Sequence, residues 1–401
     1  MKRKYKYIIL FLACFLVIYS CYFVINKIRV SPFIVNEETI RKKNFLEDKQ
    51  AVLYYSSTAD QDMDDRGISI AILVDDDGVA SGYKMKGLEG GSVALGETGL
   101  LLEDKETLHL IGNKYKEVKM KYQHTGEITG YLKNSNLYFT IFNSGFVKNG
   151  YASNVLYGND KGFNKGNIPH FILTSGVDKN DIIILTKDIE KNTCHLRKVG
   201  FDDNKLKIKD LILLKNRNGY DSYSHSSQIL SNENYYYLVL EERKQGNLKD
   251  ADEVLVRINK KTLKQDIITL VSYKNKTINQ LSATIPYSLN HSIYIYGKEL
   301  FFVNGLGDVY TVDTTSNIVK KKFTIENPRN GPYRYGEKTY FKNDSLFVVR
   351  YDSKKKVKYY FEQYSLETGK KTKVVQMKGV EEILSSVKGK SVHSYDFKIL
   401  K

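Results

Sequence analysis

Seven strongly apolar runs recur along the chain: AVLYY from Ala51, GLLLE from Gly99, NLYFTIF from Asn136, DIIILT from Asp181, YYYLVL from Tyr235, ELFFV from Glu299 and SLFVV from Ser345. Their starts are spaced 37 to 64 residues apart. Each is followed by a second run that ends in a polar turn, as in ISIAILVDDDG, VLVRINKKT and VYTVDTTS. A third, often basic, run such as IVKKKFTIE or KKTKVVQMKG comes next. Short alternating runs punctuated by Gly, Asn and Asp are strand and hairpin chemistry. Helical periodicity is absent from this part of the chain.

Four short antiparallel strands in a unit of about 50 residues, repeated around a centre, make a β-propeller. The 351 residues from Ala51 to Lys401 hold seven such units. The fold expected is all-β, a seven-bladed propeller. AVLYY has no innermost strand before it, and the chain ends on an unpartnered SVHSYDFKILK. Pairing these N- and C-terminal strands closes the ring and removes two exposed sheet edges. The repeats resemble the diverged seven-bladed superfamily that includes WD40-like, YVTN-type and quinoprotein-type repeats. The chain has no Trp, so it lacks both the Trp-Asp dipeptide of true WD40 repeats and the tryptophan docking motif of quinoprotein repeats.

Ahead of the repeats, Tyr7 to Ile25 is a 19-residue run without a charge, long enough to cross a hydrocarbon core as a helix. Lys2, Arg3, Lys4 and Lys6 precede it, which by the positive-inside tendency leaves the rest of the chain outside the cell. The organisation expected is a basic tail (1–6), a transmembrane signal anchor (7–26), a linker (27–50) and a propeller ectodomain (51–401). Two other readings compete with the uncleaved anchor. A cleaved signal peptide has a shorter apolar region ending in small residues, and Ile18-Tyr19-Ser20-Cys21 looks like a degraded lipobox.

Cys14 and Cys21 lie in the apolar run, so Cys194 is alone in the outer part and no disulfide can form within it. A domain this large buries enough core to do without one. Abundant Lys, Asn, Ile and Tyr with only five Pro is the composition of an exported protein of a low-GC Gram-positive bacterium. Leaving out the six cations up to Arg29, 56 Lys and Arg face 46 Asp and Glu, a net charge of +10. That suits an anionic wall polymer, lipid headgroups or an acidic surface protein as partner. Nucleic acid is excluded as a partner by the absence of any binding motif and by the outside location.

Five of the seven histidines share one phase, at the start of an expected innermost strand: His124, His170, His225, His291 and His393. In a propeller this phase surrounds the mouth of the central channel. A histidine there either bonds within its own blade or joins a partial ring of imidazoles able to hold a transition metal or an anionic ligand. No other cofactor is called for. His109 and His195 fall inside strands. LKNRNGYDSYSH and ENPRNGPYRYG repeat an Arg-Asn-Gly followed by Tyr, which makes Arg217, Tyr220, Arg329 and Tyr333 candidates for binding a carboxylate or phosphate. The alternative is an Asn-Gly turn beside solvated arginines.

Asp60, Asp62 and Asp64 open like a calcium loop, but Asp65 and Ala71 replace its Gly and Glu, leaving an acidic surface loop. Gly305-Leu306-Gly307 lies in a hairpin, without the helix a phosphate-binding turn requires. No hydrolase or zinc-protease motif has diagnostic spacing. The function expected is therefore a binding or scaffold module at the cell surface. The alternative is a propeller enzyme of the metal-dependent lactonase or hydrolase type with its site at the channel mouth.

Overall fold

A computed structural model of the chain describes residues 31–401 apart from 98, 149, 203–204, 248–249, 275–282, 328–336 and 388, together with residues 15 and 19. Apart from Phe15 and Tyr19, the apolar run 7–25 falls outside the described residues. Among those described, no helix is long and apolar enough to cross a membrane.

The strands form seven sheets, each built on a meander of antiparallel strands. All seven apolar runs are the second strands of their blades. Val52 and Tyr54 turn toward blade 2 and pack with Leu100, Leu102 and Ile111, while Leu53 and Tyr55 turn toward blade 7 and pack in one cluster with Val349 and Phe361. Successive residues of a strand point to opposite faces. A ring of blades covers both faces, so the second strand is apolar without a break.

The ring closes through the ends of the chain. His393–Ile399 is the innermost strand of blade 1 and pairs antiparallel with Lys49–Ser56, from Ala51 opposite Ile399 to Ser56 opposite His393. Part of the stretch expected to be linker, residues 27–50, packs on this blade. Ile34 and Val35 pair in parallel with Gly82 and Tyr83, Asn36 caps the short helix Glu37–Ile40 and Ile40 is buried. The physical reason is the rim of blade 1, where Ala80–Lys86 would otherwise present unpaired backbone groups.

Tyrosine ties blades together in a chain without tryptophan. The Tyr54 hydroxyl donates to the Glu103 carbonyl of blade 2 at 2.8 Å, and the Tyr138 hydroxyl of blade 3 donates to the Gly99 carbonyl of blade 2 at 3.0 Å. Neighbouring innermost strands also meet at one end. Gly126 N–H donates to Glu89 O, Ile229 N–H to Ser175 O and Gln228 N–H to Leu289 O, at 2.8 to 3.0 Å. At Gly90, with φ of +68°, a Cβ would lie 2.6 Å from the Gly126 carbonyl, so both the conformation and the approach require glycine.

The antiparallel meander brings the end of each outer strand and the start of the next innermost strand to one face, called here the connection face. The meander puts the turns between second and third strands there too.

Candidate functional site: the connection face and the channel

The five histidines take different places around this face. His124, His170 and His291 stand one or two residues ahead of an innermost strand, and His393 opens one. His225 ends the segment Tyr220–His225, because the innermost strand of blade 5 is split and resumes at Leu230–Ser231. His124 is exposed and packs edge-on against Tyr122, with ring centroids 4.7 Å apart. Burial pushes the imidazole of His225 down to about 4, and burial with the nearby Arg197 lowers that of His170. Among the described residues, no three His, Cys, Asp or Glu side chains gather into a group able to hold a metal ion.

His291 reaches across the ring. Its Nε2 lies 3.0 Å from Oδ1 of Asp396, in the innermost strand of blade 1, and its ring meets Tyr340 of blade 7 edge-on at 4.9 Å. The other oxygen of Asp396 accepts the Val93 N–H of blade 2 at 3.0 Å, and Lys398 Nζ stands 3.7 Å away. Blades 6, 7, 1 and 2 thus converge on one buried carboxylate. Burial opposes its charge, but Lys398, the His291 imidazole and the Val93 N–H together hold it well below the usual carboxylate range. Burial dominates at His291 and lowers its value, so the ring is neutral at pH 7 and donates from Nε2.

Two further buried carboxyls move the other way. Glu103 accepts the Ser92 N–H at 2.9 Å and the Thr140 hydroxyl, and burial pushes it up to about 7. Glu253 accepts the Tyr273 hydroxyl at 2.7 Å, Tyr273 accepts from Asn304 at 2.8 Å, and burial pushes Glu253 up to about 8. A carboxyl with a raised folded value contributes stability fully below its unfolded value, near 4.5, and loses it as pH rises through the folded one. Glu253→Gln keeps an acceptor for Tyr273 and has no proton to lose. It is expected to gain on its parent by up to about 1.4 kcal/mol per pH unit between about pH 5 and 8 in thermal melts. A gap between the two proteins that stays constant with pH removes this assignment.

Arg217 and Tyr220 are brought together, the guanidinium lying 4.0 Å from the ring centroid. Its Nε and one terminal nitrogen bond Glu242 and Asp252 at 2.5 Å each, and the other bonds Thr269 at 3.2 Å. Burial alone would lower its value, and the two carboxylates reverse that. Arg329 and Tyr333 lie outside the described residues. The acidic loop after Ser57 is held by cations: Lys105, itself buried, places Nζ 2.7 Å from Asp62 and 2.5 Å from Asp65, and Lys390 pairs with Asp64 at 3.0 Å.

Between blades 3 and 4 the connection face carries a groove of about 580 Å³. A hairpin from blade 3 forms one wall with Phe146, Val147 and Tyr151, and the turn carrying Asp188 and Ile189 forms the other. Phe146, Tyr151 and Phe171 make an edge-on ladder with centroids 5.2 and 5.1 Å apart.

A family model described as the YycP β-propeller domain matches residues 44–400. The chain belongs to the YycP β-propeller family. A relative from Bacillus subtilis strain 168, an uncharacterized YycP protein, is 31% identical over 369 residues, covering 92% of each chain. Among solved structures, a Lactobacillus plantarum protein shares 11% identity over 88% of this chain and 100% of its own, with a TM-score of 0.49. BamB from Moraxella catarrhalis shares 9% over 77% and 90%, with a TM-score of 0.43.

In this YycP-family propeller Asp396, Glu103, Glu253 and Lys105 are among the buried charged groups that the sequence pattern does not single out. Each sits in an ordinary strand or turn and gains its partners from another blade or strand. Phe146 had a readable signal, since FVKNGY sets an Asn-Gly pair, a turn signal, directly after an apolar pair and a lysine.

Proposed function

We propose that this chain is a membrane-anchored, extracytoplasmic propeller that works as a binding module through its connection face. The distribution of exposed apolar side chains carries the reading. Among the described residues beyond 30, twelve large apolar side chains are exposed, and eight of them belong to that face: Met63, Tyr122, Phe146, Val147, Ile189, Leu213, Ile285 and Leu289. Scattered singly such residues need no explanation, but concentration on one face marks an interaction surface. The Tyr7 to Ile25 run with its preceding cations supports the anchor and its orientation.

Protease added to intact protoplasts is the test. The part after Arg29 is expected to be digested, with the exposed hairpin tip around Lys148 the preferred first cut. Full protection of that part until the protoplasts are lysed would remove the outside assignment.

A further inference from the structure

We propose that the apolar patch of blades 3 and 4 docks onto the anionic lipid surface of the membrane that anchors the chain. The inference rests on reading Tyr7 to Ile25 as an anchor and names the partner of the connection face at this patch.

Three observations lead to it. The tip of the blade 3 hairpin holds Phe146 and Val147 at 75% and 54% exposure, with Ile189 and Leu213 exposed on the neighbouring blade. Each apolar residue has a lysine within two positions: Lys148 follows Val147, Lys187 and Lys191 stand two residues either side of Ile189, and Lys215 lies two residues after Leu213. Against them stand Glu190 and Asp188, whose Oδ1 accepts the Glu190 and Lys191 backbone N–H groups at 3.1 Å and whose Oδ2 lies 3.9 Å from Lys191 Nζ, so that Lys148, Lys187 and Lys215 carry the net positive charge of the patch. Apolar tips that enter the headgroup boundary, flanked by cations that meet anionic lipid, are what an interfacial surface presents.

The third observation is reach. Packing on the propeller starts at Phe33, whose carbonyl accepts the Gly82 N–H at 2.7 Å. The eight steps from Ile25 to Phe33 extend at most about 29 Å. The rim of blade 1 is therefore held close to the bilayer, and a tethered surface needs little intrinsic affinity to dock, because the tether sets a high effective concentration. A soluble partner gains nothing from that tether.

The absence of tryptophan supplies the probe. The full chain carrying Phe146→Trp, incorporated into vesicles of phosphatidylcholine with phosphatidylglycerol, is expected to emit at shorter wavelength and to be quenched by lipids brominated on their acyl chains. Both effects should be lost in phosphatidylcholine alone or in high salt. Ile318→Trp, on the opposite face, is expected to stay in water throughout. Adding Lys148→Gln to the Phe146→Trp chain should lower the ratio of docked to free propeller by about fivefold.

If the indole of the Phe146→Trp chain remains open to an aqueous quencher while the chain floats with anionic vesicles, the docking is overturned and the anchor stands. A Phe146→Trp chain that does not incorporate, yet whose indole is quenched by added brominated anionic vesicles, keeps the docking and removes the anchor. A chain that does neither loses both. A spectral shift that follows protein concentration without lipid, or that a soluble polyanion reproduces without acyl-chain quenching, assigns the patch to a second copy or to a wall polymer and overturns the proposal.

Discussion

Removing residues Ser391 to Lys401 is expected to abolish the single cooperative unfolding transition of the propeller. The deletion takes out the innermost strand of blade 1, with Phe397 fully buried and Ile399 nearly so, and with six paired positions along Lys49–Ser56. Losing a buried aromatic and a buried branched side chain costs about 3–5 and 2–5 kcal/mol by truncation to alanine. That sum rivals the whole stability of an ordinary domain, about 5–15 kcal/mol. It also opens Ala51 to Tyr54, now fully buried, as an apolar edge that can pair with another chain. Calorimetry should show a broad or missing transition and light scattering should show association. A shortened chain that melts in one transition at the parent temperature would mean that the ring does not depend on this closure.

The closure was legible because an innermost strand was missing at one end and a strand was unpartnered at the other. The seven blades were legible for a related reason, since a strand buried on both faces must be apolar along its whole length, as Val52 to Tyr55 are. Sites were less legible. The phase of the histidines is readable along the chain, but their partners are not: His291 and Asp396 are 105 residues apart and meet only because the ring places blade 6 and blade 1 on either side of blade 7. His225 shows a local limit of the same reasoning. Its blade's innermost strand breaks after it, and HSSQIL holds no Gly, Pro, Asn or Asp to mark that break, only two serines that strands also carry. In the acidic loop the carboxylates are written in the sequence, whereas the buried amine that holds Asp62 and Asp65 lies some forty residues on, in the unremarkable turn DKET. The rim strand Ile34–Val35 was hidden by its length, since two residues carry no period.

Replacing Asp396 by alanine is expected to cost about 3–5 kcal/mol, because removing one partner leaves the others buried and unpaired. The groups orphaned include the Val93 N–H, the His291 imidazole, the Phe397 N–H that Oδ1 accepts at 2.8 Å and, at 3.7 Å, the Lys398 ammonium. His291→Ala removes one donor and should cost less. The double variant should be less destabilised than the two singles summed, since residues sharing one network do not add. The pH dependence follows from the depressed carboxyl of Asp396. A carboxylate whose folded value lies below its unfolded one contributes stability that is present above about pH 4 and is lost as pH falls through the folded value. The gap between parent and Asp396→Ala should therefore be widest near neutrality and narrow in acid below about pH 4, read as denaturant midpoints at each pH. Asp396→Asn, which keeps the shape and one acceptor, should fall between the two. If Asp396→Ala melts with its parent at neutral pH, the four blades that meet at this carboxylate are held by their apolar faces alone.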